Sequence, residues 1–158
     1  MKLAGSLLVF ALLVAGGCKS KPPENAVTMT MHLPATVTTP QDRRVPVILR
    51  APTMSFLVDG VAVFTEDDLD SAEFKEDAEG FRMRFTFNTA GTIRLDVLTN
   101  EHRGSLVVVY LNNQPVGVPQ LKHRIVDGMF EFTPNVSREE AELLIAGLNA
   151  MIEYKKKR

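Results

Sequence analysis

The sequence predicts an α+β domain with largely antiparallel strands, and three observations carry that reading. Phe81, Met83, Phe85 and Phe87 alternate with charged or polar neighbours, the period of a strand with one buried face. Asp59-Gly60 and Asp127-Gly128 each separate two short apolar runs, the pattern of a two-residue hairpin. Near the C-terminus, Ala141, Leu144, Ile145, Leu148, Met151 and Ile152 recur at helical spacing and make one apolar stripe.

The chain opens on Lys2 and a run of apolar or small residues from Leu3 to Gly17, which predicts a secretory signal peptide over residues 1–17. The run is too short for a membrane span, which needs about 20 apolar residues. Lys19, Ser20 and Lys21 interrupt it, and Pro22 and Pro23 forbid a continued helix. Ala15-Gly16-Gly17-Cys18 resembles the bacterial lipobox, with Ala15 where the commonest pattern has Leu. Cys18, the sole cysteine, is therefore expected to carry lipid and become the mature N-terminus. The competing reading is an ordinary secreted protein cleaved near Gly17. Residues 18–25 read as the lipidated cysteine and a short extended tether.

Residues 26–63 read as N-terminal strands and an exposed loop. Val27, Met29, Met31 and Leu33 alternate with polar residues until Pro34, and a polar connection containing Pro40 follows. Two short strand candidates, "VPVILR" and "TMSFLV", flank Pro52. Residues 64–158 continue the same domain. Thr65 is a candidate N-cap for one or two helical turns, with acids in the first turn and Leu69 and Ala72 facing inward. For "TAGTIRLDVLTNEHRG" the pattern is ambiguous. Ile93, Leu95 and Val97 alternate as in a strand, while Ile93, Val97 and Leu98 make a narrow helical stripe with Asn88 as cap. "SLVVVYLNN" reads as a buried strand and "VGVPQLKHRIV-DG-MFEFT" as further strands folded at Asp127-Gly128. Ser137 and Glu140 form a capping box that opens the last helix, and "KKKR" suits its C-terminal end.

Without residues 1–17 the chain retains 141 of 158 residues, enough for one domain with a core. Its formal charge of −1 becomes −2 once Lys2 is removed, which gives no reason to expect a nucleic-acid partner. A lone cysteine excludes an intrachain disulfide. His32, His102 and His123 lack zinc-ligand spacing and read as surface or capping residues on a strand, a helix end and a strand. Glu66, Asp67, Asp68 and Asp70 lack the calcium-loop pattern and read as first-turn acids. Ser55, Ser71, Ser105 and Ser137 stand outside any Gly-x-Ser-x-Gly context, and no phosphate loop occurs. Gly91 and Gly147 are expected at close helix packing. Most of Met29, Met31, Met54, Met83, Met129 and Met151 are expected in the core or on a half-buried face, although methionines also suit a yielding peptide-binding surface. No catalytic residue, metal site or cofactor is predicted.

Three runs resemble the head of the large periplasmic region of SecD, an accessory subunit of the protein-export translocase. "FTEDDLDSAEF" is similar to its Thr-x-x-Asp-Leu-x-x-Ala segment, through Thr65, Asp68, Leu69 and Ala72. "FTFNTAGTIRLDVLTNEHRGSLVVVYLNNQPVGVP" resembles its strand, helix, Thr-rich turn and following strand, with Thr99, Gly104, Val116 and Pro119 in register. "IVDGMFEFTPNVSREEAELLIAGLN" resembles its strand pair and the helix opened by Glu139, Glu140 and Ala141. The likeness spans residues 64–150. It implies a SecD periplasmic-head-like fold, a mixed, largely antiparallel sheet with two main helices packed on one face, and a helix over residues 89–103 with Ile93 and Val97 toward the sheet and Leu95 off that stripe. A crossover between parallel strands there is expected to be right-handed.

The resemblance implies a non-enzymatic protein that contacts preproteins. No apolar span follows the head, so the expectation is a standalone version held on a membrane by the lipid on Cys18, in the bacterial cell envelope outside the cytoplasm. Its domain is expected to bind protein or peptide segments, for instance by adding a strand to an open sheet edge. The alternative is a structural or assembly lipoprotein docked to a fixed membrane partner.

Overall fold

The computed structural model describes residues 21–50, 53–78 and 80–158, so the expected signal peptide and Cys18 lie outside the described residues. Among the described residues nine strands and two helices form an α+β fold in which every strand pairing is antiparallel. One ladder runs β4 (Phe64–Thr65), β1 (Met29–His32), β7 (Val108–Leu111), β8 (Gln114–Gly117). A second is the ribbon of β2 (Arg44–Arg50) and β3 (Thr53–Asp59), and the third runs β5 (Leu69–Asp77), β6 (Gly80–Phe87), β9 (Met129–Phe132). Helices α1 (Thr89–Glu101) and α2 (Arg138–Lys156) bury one side each in the same core.

Alternation predicts the buried faces correctly. Met29 and Met31 of β1 and Met83, Phe85 and Phe87 of β6 are buried together with Leu148 and Ile152 of α2. A smaller core under the ribbon joins Val47, Leu49 and Val58 to Val108. Val27 N–H donates to the Gly147 carbonyl, and a Cβ on Gly147 would lie 2.4 Å from the Asn25 carbonyl oxygen, so α2 needs glycine there for the entering chain. Gly91 is needed likewise, its Cβ position lying 2.5 Å from the Asp68 carbonyl oxygen.

Neither Asp-Gly pair closes a hairpin. A type I′ turn needs positive φ at both central residues, and Gly60 is not in that region. The Asp59 side chain instead accepts from Val61 N–H, and Gly60 N–H donates to the Arg43 carbonyl, which directs the chain away from β3 toward β4. Gly128 does have φ +71°, but the strand after it pairs with β6. Asn112-Asn113, with φ of 49° and 62°, forms a two-residue hairpin of type I′ signature, so the expected strand through "SLVVVYLNN" ends at Leu111 and returns as β8. Residues 118–127 form no strand beyond the single bridge of Leu106 to Gln120, which corrects the expectation of further strands there and places His123 outside any strand.

At Thr65 a single 3-10 turn, Glu66–Asp68, takes the place of the expected helical turns, and the Asp68 carboxylate accepts from Thr65 N–H at 2.9 Å. Leu69 and Ala72 are both buried even though they lie three apart in a strand. The ladder slips between Leu69 and Ser71, and this bulge absorbs one residue and returns Ala72 to the inner face.

The segment 89–101 is a helix, as the resemblance implies, but its phase is opposite to the expectation. Leu95 is fully buried, while Ile93 is 63% and Val97 50% exposed. The buried line is Gly91, Leu95 and Thr99. Strands β6 and β7, which this helix joins, lie in different ladders, so there is no parallel crossover between them.

Candidate functional site

A cleft of about 610 Å³ lies beside β9 at the edge of its ladder. Phe87 N–H donates to the Gly128 carbonyl, so by strand alternation Phe130 and Phe132 turn their backbone groups to β6 while Met129 and Glu131 turn theirs to the open side. Met129 N–H is taken by Asp127 Oδ1 at 3.0 Å. Glu131 N–H and C=O are left facing the cleft with no partner among the described residues, a free donor and acceptor at the edge of a sheet.

Opposite this edge stands an arch, residues 118–127, with its two feet at the two ends of β9. At one foot a Cβ on Gly117 would meet the Phe132 ring at 2.7 Å, and at the other Asp127 holds Met129. The arch is fastened from behind. Leu121 exchanges backbone bonds with Gly104 and Ser105, and Ile125 N–H donates to Thr99 Oγ1 at 2.9 Å. The Arg124 guanidinium grips the Asp96 carboxylate through two nitrogens. That hydrogen bond, opposed by burial and helped by the guanidinium charge, holds the Asp96 carboxyl below its usual range.

The outer face of the three-stranded ladder supplies the charge around the cleft. Side chains there run in a cross-strand row, Glu73 opposite Arg84 opposite Glu131. Arg84 pairs with Glu131 and lies 4.0 Å from Glu73, whose second partner is Lys75 at 2.9 Å. Arg82, which also lines the cleft, pairs with Asp77. Lys122 and His123 of the arch are exposed and carry no ion pair or hydrogen bond among the described residues. The floor is apolar, with Leu121 and Phe130 buried and Ile125 partly so.

The residues weighed in the sequence fall elsewhere, with two exceptions. His32 bonds the Asp59 carbonyl and Thr30, and His102 is the C-cap of α1. The acids at 66–70 are structural fasteners. Glu66 accepts from Met29 N–H and from Lys155, Asp68 pairs with Arg94 at 2.6 Å, and Asp70 lies 3.7 Å from Lys156. Burial pulls the Lys155 ammonium down, but its bonds to Asp67 and Glu66 prevail and raise it. The C-terminal lysines therefore serve this cluster as well as the helix end. Among the described residues no group of three or more His, Cys, Asp or Glu is placed to hold a metal ion. Met29, Met31, Met83 and Met151 are buried, while Met54 and Met129 are partly open. His123 and Met129 are the two weighed residues that line the cleft. Nothing in the sequence marks Glu131 or Lys122, because an edge exists only once its neighbours are known.

Residues 41–151 match the family described as SecDF, P1 head subdomain. Among solved structures, a SecDF described as a membrane component that enhances protein export superposes with a TM-score of 0.60 at 16% identity, over 79% of this chain and 63% of that one. A SecDF in super-membrane-facing form gives 0.59 at 18% identity, over 80% of this chain and 19% of that one. The translocon-associated SecDF of Thermus thermophilus gives 0.54 at 16% identity, over 80% and 20%. The chain thus spans less than two thirds of the first of these proteins and about a fifth of the others. No curated protein matches it. Among the described residues no helix is long and apolar enough to cross a membrane. With antiparallel ladders, two helices in one core and a family match over most of its length, the chain belongs to the SecDF P1 head subdomain family.

Proposed function

We propose that this protein is a lipid-anchored, non-enzymatic component of the bacterial envelope, facing out of the cytoplasm, whose head domain binds extended segments of other polypeptides. The observation that carries the reading is the open edge of β9, where Glu131 presents an unpaired backbone donor and acceptor to a cleft of about 610 Å³. An extended peptide satisfies such an edge with its main chain, which makes recognition tolerant of sequence. A related solved protein is described as enhancing protein export, and a role beside export is the natural setting for such binding. Cys18 supplies the anchor, since buried acyl chains contribute about 0.8 kcal/mol per CH₂.

Two experiments test this reading. Cys18→Ser is expected to move the protein out of the detergent phase, and its retention there removes the lipid anchor. A photo-crosslinker at Gln120 on the arch is expected to capture many different polypeptides in intact cells. A single adduct points to the second reading, a fixed membrane partner. That reading is favoured by a depression on α1 lined by Val63, Phe64, Ile93, Arg94, Val97, Leu98 and Glu101, in which Ile93 and Val97 are exposed.

A further inference from the structure

We infer that the segment bound at β9 carries a basic residue opposite Glu131; this rests on the reading that β9 accepts a strand. The pairing register leads to it. An incoming residue that exchanges both backbone bonds with Glu131 stands directly across from it and shares its face of the sheet. On that face the row already alternates in sign, Glu73, Arg84, Glu131, and its open end is the Glu131 carboxylate. A lysine or arginine in the next position continues the alternation and shares that carboxylate with Arg84, whereas an acid there meets a like charge directly across the pair. The neighbours of the basic residue in the segment point to the opposite face, toward the apolar floor of Phe130, Leu121 and Ile125. The ligand class is therefore an extended segment in which one basic residue is flanked by apolar ones. Proline at the basic position is excluded, because the bond to the Glu131 carbonyl needs an N–H. The cations of the cleft that act against this sign preference are Lys122 and His123 on the arch and Arg82 on β6, whose charge Asp77 partly offsets.

The test uses the full mature protein in detergent and labelled seven-residue Thr/Val peptides with a central lysine, a central glutamate, or a central N-methylated lysine. The lysine peptide is expected to bind about threefold to tenfold more tightly than the glutamate peptide at low ionic strength, with the difference shrinking in salt. Methylation of the central backbone nitrogen is expected to abolish binding, and Glu131→Gln, which removes the charge without setting a cation across from Arg84, to erase the preference while its melting curve confirms that it folds. Equal binding of the lysine and glutamate peptides, with N-methylation still abolishing it, overturns the charge inference and leaves strand addition standing. Tighter glutamate binding that Lys122→Ala removes overturns it too, by assigning the sign to the arch. Binding that N-methylation does not touch, or no binding of any peptide, overturns strand addition itself.

Discussion

The two helices bury their inner faces by opposite means. Helix α2 does so with Ala141, Ile145, Leu148, Met151 and Ile152, a stripe that any apolar periodicity reveals. Helix α1 turns Gly91, Leu95 and Thr99 inward and leaves Ile93 and Val97 outside. Only one of its three buried residues is a large hydrophobe. Gly91 is inward because the chain at Asp68 comes too close for a side chain, and Asn88 fixes the start of the helix by capping Gly91 N–H at 2.9 Å. Thr99 is inward because its hydroxyl donates to the Leu95 carbonyl and accepts from Ile125 N–H, so burial leaves it no unmet bond. A helix phase set by close contact and hydrogen bonding is invisible to hydrophobic pattern, and Ile93 and Val97 even point the pattern the wrong way.

The contrast makes graded predictions. Leu148→Ala and Leu95→Ala are both fully buried truncations and should each cost about 2–5 kcal/mol, read from urea midpoints. A Leu95 value near zero would return α1 to the phase its apolar residues suggest. Thr99→Val keeps the shape but strands Ile125 N–H, and should cost about 1–3 kcal/mol, with Thr99→Ser recovering most of it.

A smaller, pH-dependent effect belongs to the Asp96–Arg124 clasp behind the arch. The folded carboxyl titrates below its ordinary 3.8, so its contribution is complete above that value and is lost as pH falls through the lower folded one. Asp96→Asn should therefore flatten the acid limb of the stability curve below about pH 4 and leave the neutral plateau's shape alone, as followed by thermal melts. The smallest effect is expected of Ile93→Ala and Val97→Ala, within about 0.5 kcal/mol of wild type in isolated protein. If those changes lower the yield of a single envelope complex while leaving the melt untouched, the outer face of α1 is a docking surface.

Local signals settled a good part of this molecule. The alternation of Met29 with Met31 and of Met83 with Phe85 and Phe87 assigns a buried face wherever the strand goes, because the side-chain period is a property of the extended backbone itself. The caps at Asn88 and Ser137 act on amides three residues away, and each is found in place. The resemblance in three runs was enough for the family and the existence of α1. What tertiary structure alone decided is which strands meet. A strand's pattern names its inner face but no neighbour, so Asp59-Gly60 looked like a hairpin while β3 had already paired back onto β2, and Asn112-Asn113 turned one where a continuous strand was expected. The candidate site follows the same rule. Glu131 is one more exposed acid in the sequence, and it becomes an open backbone donor and acceptor only because β6 occupies the other side of β9 and the arch stands clear of this one.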